Sequence, residues 1–321
     1  GKEKTPKVTI AGLEQGKDFS VTYSNNIYAG TASVTIVGTR AYGGTVVKTF
    51  KIERQTGSGP LFDGAMKIRV NGNNRYDTSI QSAEALKITL CTESFDNIIV
   101  ASGESFADAL SGSYLAMMKS APILLVNQYN EQLVKEYIAQ RLGGKTRFDT
   151  NLEILKEAGS DGEELLICQG LDFADALAAS SSKKPILLVD DELNENQIGY
   201  LKQLSTSRFY LIGGPSVVSN NVGNELEKMG KDVKRIYGDN RYETSVEVAK
   251  EFFPQKVETV VLVCSVDFPD GLSGGPLATS LDAPILLVND TNTNNAEKYV
   301  ELVSAEKAAV IGGSLIISDN T

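Results

Sequence analysis

Hydrophobic and polar positions change rhythm once along this chain. Up to about residue 53 they alternate, as in Phe19-Ser20-Val21-Thr22-Tyr23, Ser33-Val34-Thr35-Ile36 and Val47-Lys48-Thr49-Phe50-Lys51-Ile52, with Asn25-Asn26, Gly30 and Tyr42-Gly43-Gly44 as turn residues. Period-two alternation between turns predicts about four or five antiparallel strands, fewer than a full sandwich, so a further N-terminal strand is expected outside this segment. Arg54 to Asp63, with Gly57-Ser58-Gly59-Pro60, reads as a linker. Beyond it the apolar runs are continuous and helix-length segments separate them. The run Ala121-Pro122-Ile123-Leu124-Leu125-Val126-Asn127 returns almost unchanged at Lys184 to Asp190 and at Ala283 to Asn289. An unbroken apolar run with Pro at its mouth predicts a parallel strand buried on both faces.

Aligned on those anchors, three units carry the same signals in the same order. A strand ending in Gly (Lys67 to Gly72; Lys234 to Gly238) leads into Arg75-Tyr76-Asp77-Thr78, Arg147-Phe148-Asp149-Thr150 or Arg241-Tyr242-Glu243-Thr244, and then a helix. An apolar strand follows, then Phe106-Ala107-Asp108-Ala109-Leu110, Phe173-Ala174-Asp175-Ala176-Leu177 or Phe268-Pro269-Asp270-Gly271-Leu272 at the start of a second helix. Next come the Pro-Ile-Leu-Leu-Val strand, a third helix and a strand ending in Ile212-Gly213-Gly214 or Ile311-Gly312-Gly313. Strands alternating with helices predict a parallel, three-layer α/β unit. The chain therefore divides into a β module (1–53), a linker (54–64) and units at 65–144, 145–234 and 235–321. From Pro185 to Arg241 is 56 residues, but from Pro122 to Arg147 only 25, so unit one is short by 31. The shortfall falls after Gln140, where an Ile-Gly-Gly strand and its helix are expected. Those residues are expected to exist in the natural protein; if the deletion is genuine, unit one must borrow a strand.

Composition removes several functions. The net charge of −10 speaks against attraction of the whole molecule to nucleic acid or an anionic membrane. The complete lack of histidine removes Ser-His-Asp and Cys-His catalysis and His-based zinc sites. Cys91, Cys168 and Cys264 form no Cys-x-x-Cys pair, and the last two fall inside apolar runs as buried thiols. No apolar run reaches membrane-span length, and no Gly-x-Gly-x-x-Gly or Walker loop is present, so neither membrane insertion nor a nucleotide cofactor is expected. The segment opens on Gly1 rather than Met without a leader, as a processed fragment does, so location is not legible from targeting.

Three motif classes remain as candidate chemistry. Thr78, Thr150 and Thr244, followed three residues on by Gln81, Glu153 and Glu247, read as capping boxes. Ser105 with Asp108, Asp172 with Asp175 and Asp267 with Asp270 repeat that device at the second helix, at the carboxyl ends of strands where open α/β sheets bind ligands. Arg75, Arg147 and Arg241 are not needed for capping. Each either pairs with the Asp of the second helix or turns its planar fork toward a carboxylate or phosphate, and both arrangements are compatible.

The combined pattern, Arg-aromatic-acid-Thr, then Phe-Ala-Asp-Ala-Leu, then Pro-Ile-Leu-Leu-Val, then Ile-Gly-Gly, resembles the cell wall binding repeat 2 family of Gram-positive, chiefly clostridial, surface proteins over residues 65 to 321. The resemblance implies three tandem Rossmann- or Toprim-like α/β modules in a pseudo-threefold arrangement. It also implies non-covalent anchoring to an anionic, teichoic-acid-like wall polymer, without cofactor or catalysis, at the cell surface. Ligand contacts are then expected from Arg75, Tyr76, Thr78, Ser105, Asp108, Arg147, Phe148, Thr150, Asp172, Asp175, Arg241, Tyr242, Thr244, Asp267 and Asp270. The alternating segment resembles the small Ig-like modules of bacterial surface proteins, a spacer or an adhesin for an S-layer or host-surface protein. Two other readings stand beside this one: a structural adhesin whose repeats only support the β module, and a wall-active hydrolase using the repeated carboxylates.

Overall fold

A computed structural model describes residues 5–10, 12–24, 30–39, 42–52, 61–130, 140–266 and 270–319. Asp267, Phe268 and Pro269, most of the Gly-Ser-Gly-Pro linker and the expected third helix of unit one thus lie outside the described residues. Among the described residues the alternating region forms three antiparallel strands, β1 (Phe19–Ser24), β2 (Gly30–Gly38) and β3 (Thr45–Ile52), in that spatial order.

The remainder is mixed α/β with parallel sheets. Unit one begins with β4 (Lys67–Val70), α1 (Arg75–Leu90), β5 (Ile99–Ser102), α2 (Phe106–Met118) and β6 (Ile123–Val126). Unit two supplies α3 (Arg147–Ala158), β7 (Leu165–Gln169), α4 (Ala174–Ala179), β8 (Ile186–Val189), α5 (Glu195–Gln203), β9 (Arg208–Ile212) and α6 (Asn220–Lys228). Then follow β10 (Asp232–Ile236), α7 (Arg241–Phe252), β11 (Thr259–Cys264), a 3₁₀ turn (Asp270–Ser273), α8 (Gly274–Ser280), β12 (Ile285–Val288), α9 (Asn294–Val303) and β13 (Lys307–Ile311).

The sheets run β10-β9-β7-β8, β12-β11-β13-β4 and β5-β6. Among the described residues, the strands that precede the first helices of units one and three therefore complete another unit's sheet. β10 pairs with β9 of unit two, and β4, at the start of the repeats, pairs with β13 near the end of the chain. Arg69 reinforces that closure, donating to the Gly312 carbonyl and pairing with Asp319, each at 2.7 Å.

The repeated Pro-Ile-Leu-Leu-Val strands are sheet edges rather than sheet centres. Such edges present unpaired donors. Here the residue after each motif Thr covers one of them: the amides of Leu125, Leu188 and Leu287 donate to Ser79 Oγ, Asn151 Oδ1 and Ser245 Oγ at 2.9 to 3.1 Å. That arrangement lets β8 and β12 be buried along their whole length while forming edges.

Each unit's first helix packs on the second helix of another: α3 on α2, α7 on α4, and α1 on α8. Each seam carries a buried hydrogen bond, Asn151 to Ser111 (3.0 Å), the Ile285 amide to Ser181 (3.1 Å) and Ser273 to Ser82 (3.1 Å). At the seventh residue after the motif Phe, the three units carry Ser113, Ser180 and Gly275. A Cβ on Gly275 would stand 3.0 and 3.1 Å from the two serine hydroxyls, so the smallest side chains occupy the point where the second helices converge. Cys168 and Cys264 are buried thiols as expected, and Cys91 is exposed in the left-handed position that closes α1.

Candidate functional site

The helix starts differ from the expected capping boxes. α1, α3 and α7 begin at the motif Arg itself, capped by Asn74, Thr146 and Asn240, whose side chains accept from amides of the first turn. The one capping box among these three pairs Thr146 with Asp149. Thr78, Thr150 and Thr244 sit a turn further in, and their hydroxyls accept from the amides of Gly72, Gly144 and Gly238 at 3.0 to 3.1 Å. Gln81, Glu153 and Glu247 therefore have no capping role. The Asn or Thr one residue before Arg offers a short acceptor at the helix mouth and starts the helix earlier.

The glycines facing those threonines have no room for a side chain. A Cβ on Gly238 would lie 2.2 Å from the Glu243 Cβ and 2.8 Å from its carbonyl carbon. Gly238→Ala should thus destabilise by about 2–3 kcal/mol through forced overpacking. Gly199→Ala, in the middle of α5 with nothing within 4 Å of the added carbon, should stabilise by about 0.5–1 kcal/mol. Denaturant midpoints of the two variants check both signs.

The second helices also depart from expectation. Ser105 occupies the cap position of α2 without a side-chain capping bond; α4 is capped by Phe173, equally without one. Within its own loop Asp172 accepts from the adjacent Phe173 amide (2.7 Å), and the third unit replaces the first helical turn by the 3₁₀ turn at Asp270. These carboxylates are directed elsewhere. Asp175 Oδ2 lies in the crook of the Ile-Gly-Gly turn, 2.6 Å from where a Cβ on Gly213 would stand, and Asp270 sits likewise under Gly312 at 3.3 Å. Both glycines have positive φ, 118° and 125°, so the turn admits the carboxylate because no side chain is there. Burial pushes Asp175 up to about 7; Asp172 adds to the rise and Arg241 opposes it. Asp108 is raised by burial too, against the pull of Arg147.

The three arginines make one repeated contact. Arg75, Arg147 and Arg241 each donate from Nη1 to the carbonyl that ends the next strand, at Gly103, Gly170 and Ser265, over 2.6 to 2.7 Å. The ring beside each Arg backs that carbonyl. A Cβ on Gly103 or Gly170 would come within 2.6 Å of the Tyr76 or Phe148 ring. In unit three, where Ser265 replaces Gly, its hydroxyl donates to Tyr242 Oη at 2.9 Å. Tyr76, Phe148 and Tyr242 are thus packing residues that fix the Arg.

From that anchor the guanidinium crosses to the preceding unit. Arg147 stacks over Phe106 (5.3 Å to the ring centre) and Arg241 over Phe173 (5.4 Å), while Phe106 and Phe173 meet edge to face at 6.3 Å. Arg241 also pairs with Asp172 of unit two at 3.4 Å while remaining 35% exposed. The anticipated Arg–Asp pair therefore exists between units rather than within one. Phe106 and Phe173 were visible in the repeated Phe-Ala-Asp-Ala-Leu, but nothing in a single unit says that the ring meets its neighbour's Arg. The residues brought together are Asp108 and Phe106 with Arg147 at one seam, and Asp172, Asp175 and Phe173 with Arg241 at the next. Exposed Leu171 and Val266 follow the chain positions that receive Arg147 and Arg241. Among the described residues there is no cluster of metal-ligating side chains and no helix long and apolar enough to cross a membrane.

The sequence profile of Cell wall binding domain 2 (CWB2) matches residues 69–140, 141–223 and 235–321. The chain belongs to the CWB2 family. One relative is the N-acetylmuramoyl-L-alanine amidase LytC of Bacillus subtilis, 26% identical over 296 residues; the match covers 80% of this chain and 57% of the amidase. The chain therefore spans little more than half the length of that relative. Two solved structures share the fold, Cwp6 and Cwp8 of Clostridium difficile, with TM-scores of 0.70 and 0.68 at 17% and 20% identity. They cover 95% and 94% of this chain, which covers 67% and 62% of theirs.

Proposed function

We propose that this chain anchors a surface protein to the cell wall by binding an anionic wall polysaccharide at the seams between its CWB2 units. The observation that carries the reading is the guanidinium of Arg147 and of Arg241, held at each seam by a main-chain carbonyl on one side and the preceding unit's Phe on the other. A planar cation fixed in this way recognises a phosphate or carboxylate with little further loss of side-chain freedom. Its field is local, since salt screens the net charge of −10 beyond about 8 Å. In this reading Asp108, Asp172, Asp175 and Asp270 set the charge balance of the seams, and the exposed carboxylate of Asp172 accepts from sugar hydroxyls.

The cyclic helix packing and the meeting of Ser113, Ser180 and Gly275 support a pseudo-threefold trimer of Rossmann- or Toprim-like modules within one chain. Repeated seams along one polymer gain through effective concentration, about 10²-fold or more over a single site. The N-terminal antiparallel sheet serves as an Ig-like spacer or as an adhesin for an S-layer or host-surface protein, outside the cell. On this account the chain is a binding protein, and any hydrolase activity belongs to other domains.

The test is co-sedimentation with cell walls before and after the anionic polymer is stripped. Binding should be lost on stripping; retention on stripped walls would remove the polymer as ligand and favour the adhesin reading.

A further inference from the structure

β7 and β11 occupy the same place in units two and three, and each is flanked on both sides, by β8 and β9 and by β12 and β13. β5 holds that place in unit one, and among the described residues it pairs with β6 alone. The registers align Ile98 with Leu165 and Val260. Leu165 is 0% and Val260 1% exposed, whereas Ile98 is 52% exposed. Ile99 and Val100 are half-buried, although their counterparts Leu166, Ile167 and Val261 are fully covered. In the complete sheets Leu165 stands opposite Phe209 of β9, and Val260 opposite Ala308 of β13. The segment from Ile98 to Ser102 contains neither charge nor Pro, the devices by which natural sheets protect a permanent edge.

We propose that the outer edge of β5 is a slot for one parallel, apolar strand of the β9 and β13 kind, filled by a strand–helix–strand segment that belongs between Gln140 and Arg141. The occupant is identified by two internal precedents: the same edge is filled in both sister units, and the spacing from the strand Pro to the next motif Arg is 31 residues shorter in unit one. Gln140 matches Gln203 and Arg141 matches Arg235, so residues 204 to 234 of unit two, which hold β9, α6 and the start of β10, supply a segment of that length.

The experiment grafts a copy of residues 204 to 234 between Gln140 and Arg141 and follows amide exchange residue by residue. Exchange of the Val100 and Ser102 amides, which alternate with those bonded to β6, should slow at least about tenfold, with β7 and β11 unchanged. Equal protection of β5 and β7 in the ungrafted chain would overturn the proposal, as would a grafted chain that gains helix without slowing β5. Should the graft not fold, a synthetic peptide of residues 206 to 214 added to the ungrafted chain must protect the same amides, and its failure overturns the proposal. Protection that instead rises with protein concentration assigns the edge to a second copy and likewise overturns it.

Discussion

Replacing Val70 by Asp is expected to unfold the sheet at the opposite end of the repeats while sparing the sheet of unit two. Val70 is 6% exposed and stands opposite Ile311, and its carbonyl accepts from the Gly312 amide. A carboxylate there is buried without a cation, a change that costs about 3–5 kcal/mol. That is a large part of the stability of an ordinary domain. The sequence position lies in unit one, but the damage should appear in β11 and β13. Amide exchange provides the measurement, with faster exchange in β13 and unchanged exchange in β7 and β8. Loss confined to β5 and β6 would mean that β4 does not close the third sheet.

Asp175→Asn is expected to stabilise the protein at pH 8 by on the order of 2–4 kcal/mol. The folded carboxyl titrates at about 7 against a reference of 3.8. Between those values the folded state binds more protons than the unfolded state, so stability falls as pH rises through the window, and the full cost is present above 7. Asn carries no such cost; its advantage should grow from near zero around pH 4 to a plateau above pH 7. Denaturation midpoints at several pH values test this, and a difference that is constant with pH would show that the carboxyl is not titrating in the window. The same substitution removes a negative charge beside Arg241, so affinity for an anionic polymer should not fall.

These outcomes trace the boundary of what one-dimensional reading supplies. The repeats, the parallel sheets and the two buried thiols were legible because an unbroken Ile-Leu-Leu-Val run and a repeated motif order need no knowledge of neighbours. The helix starts were misplaced because Thr followed by Gln or Glu looks like a cap, while the Asn or Thr before Arg competes for the same role and wins. The edge position of the Pro-Ile-Leu-Leu-Val strands was hidden by their apolarity: Ser79, Asn151 and Ser245 cover the edge from a helix distant in sequence. β4 and β10 were read as openings of their own units, because chain order does not reveal that each completes another sheet. The arginines stand out in the sequence because capping does not need them. Their Phe and Asp partners come from adjacent units, a relation that exists only once three units have packed.

Equilibrium binding of purified anionic wall polymer to the native chain, to Arg147→Ala and Arg241→Ala, and to the double variant tests whether the ligand sits at those seams. Each single change is expected to weaken binding about tenfold and the double change about a hundredfold or more, with thermal midpoints held near native. A correctly folded double variant that binds as tightly as the native chain would contradict that placement.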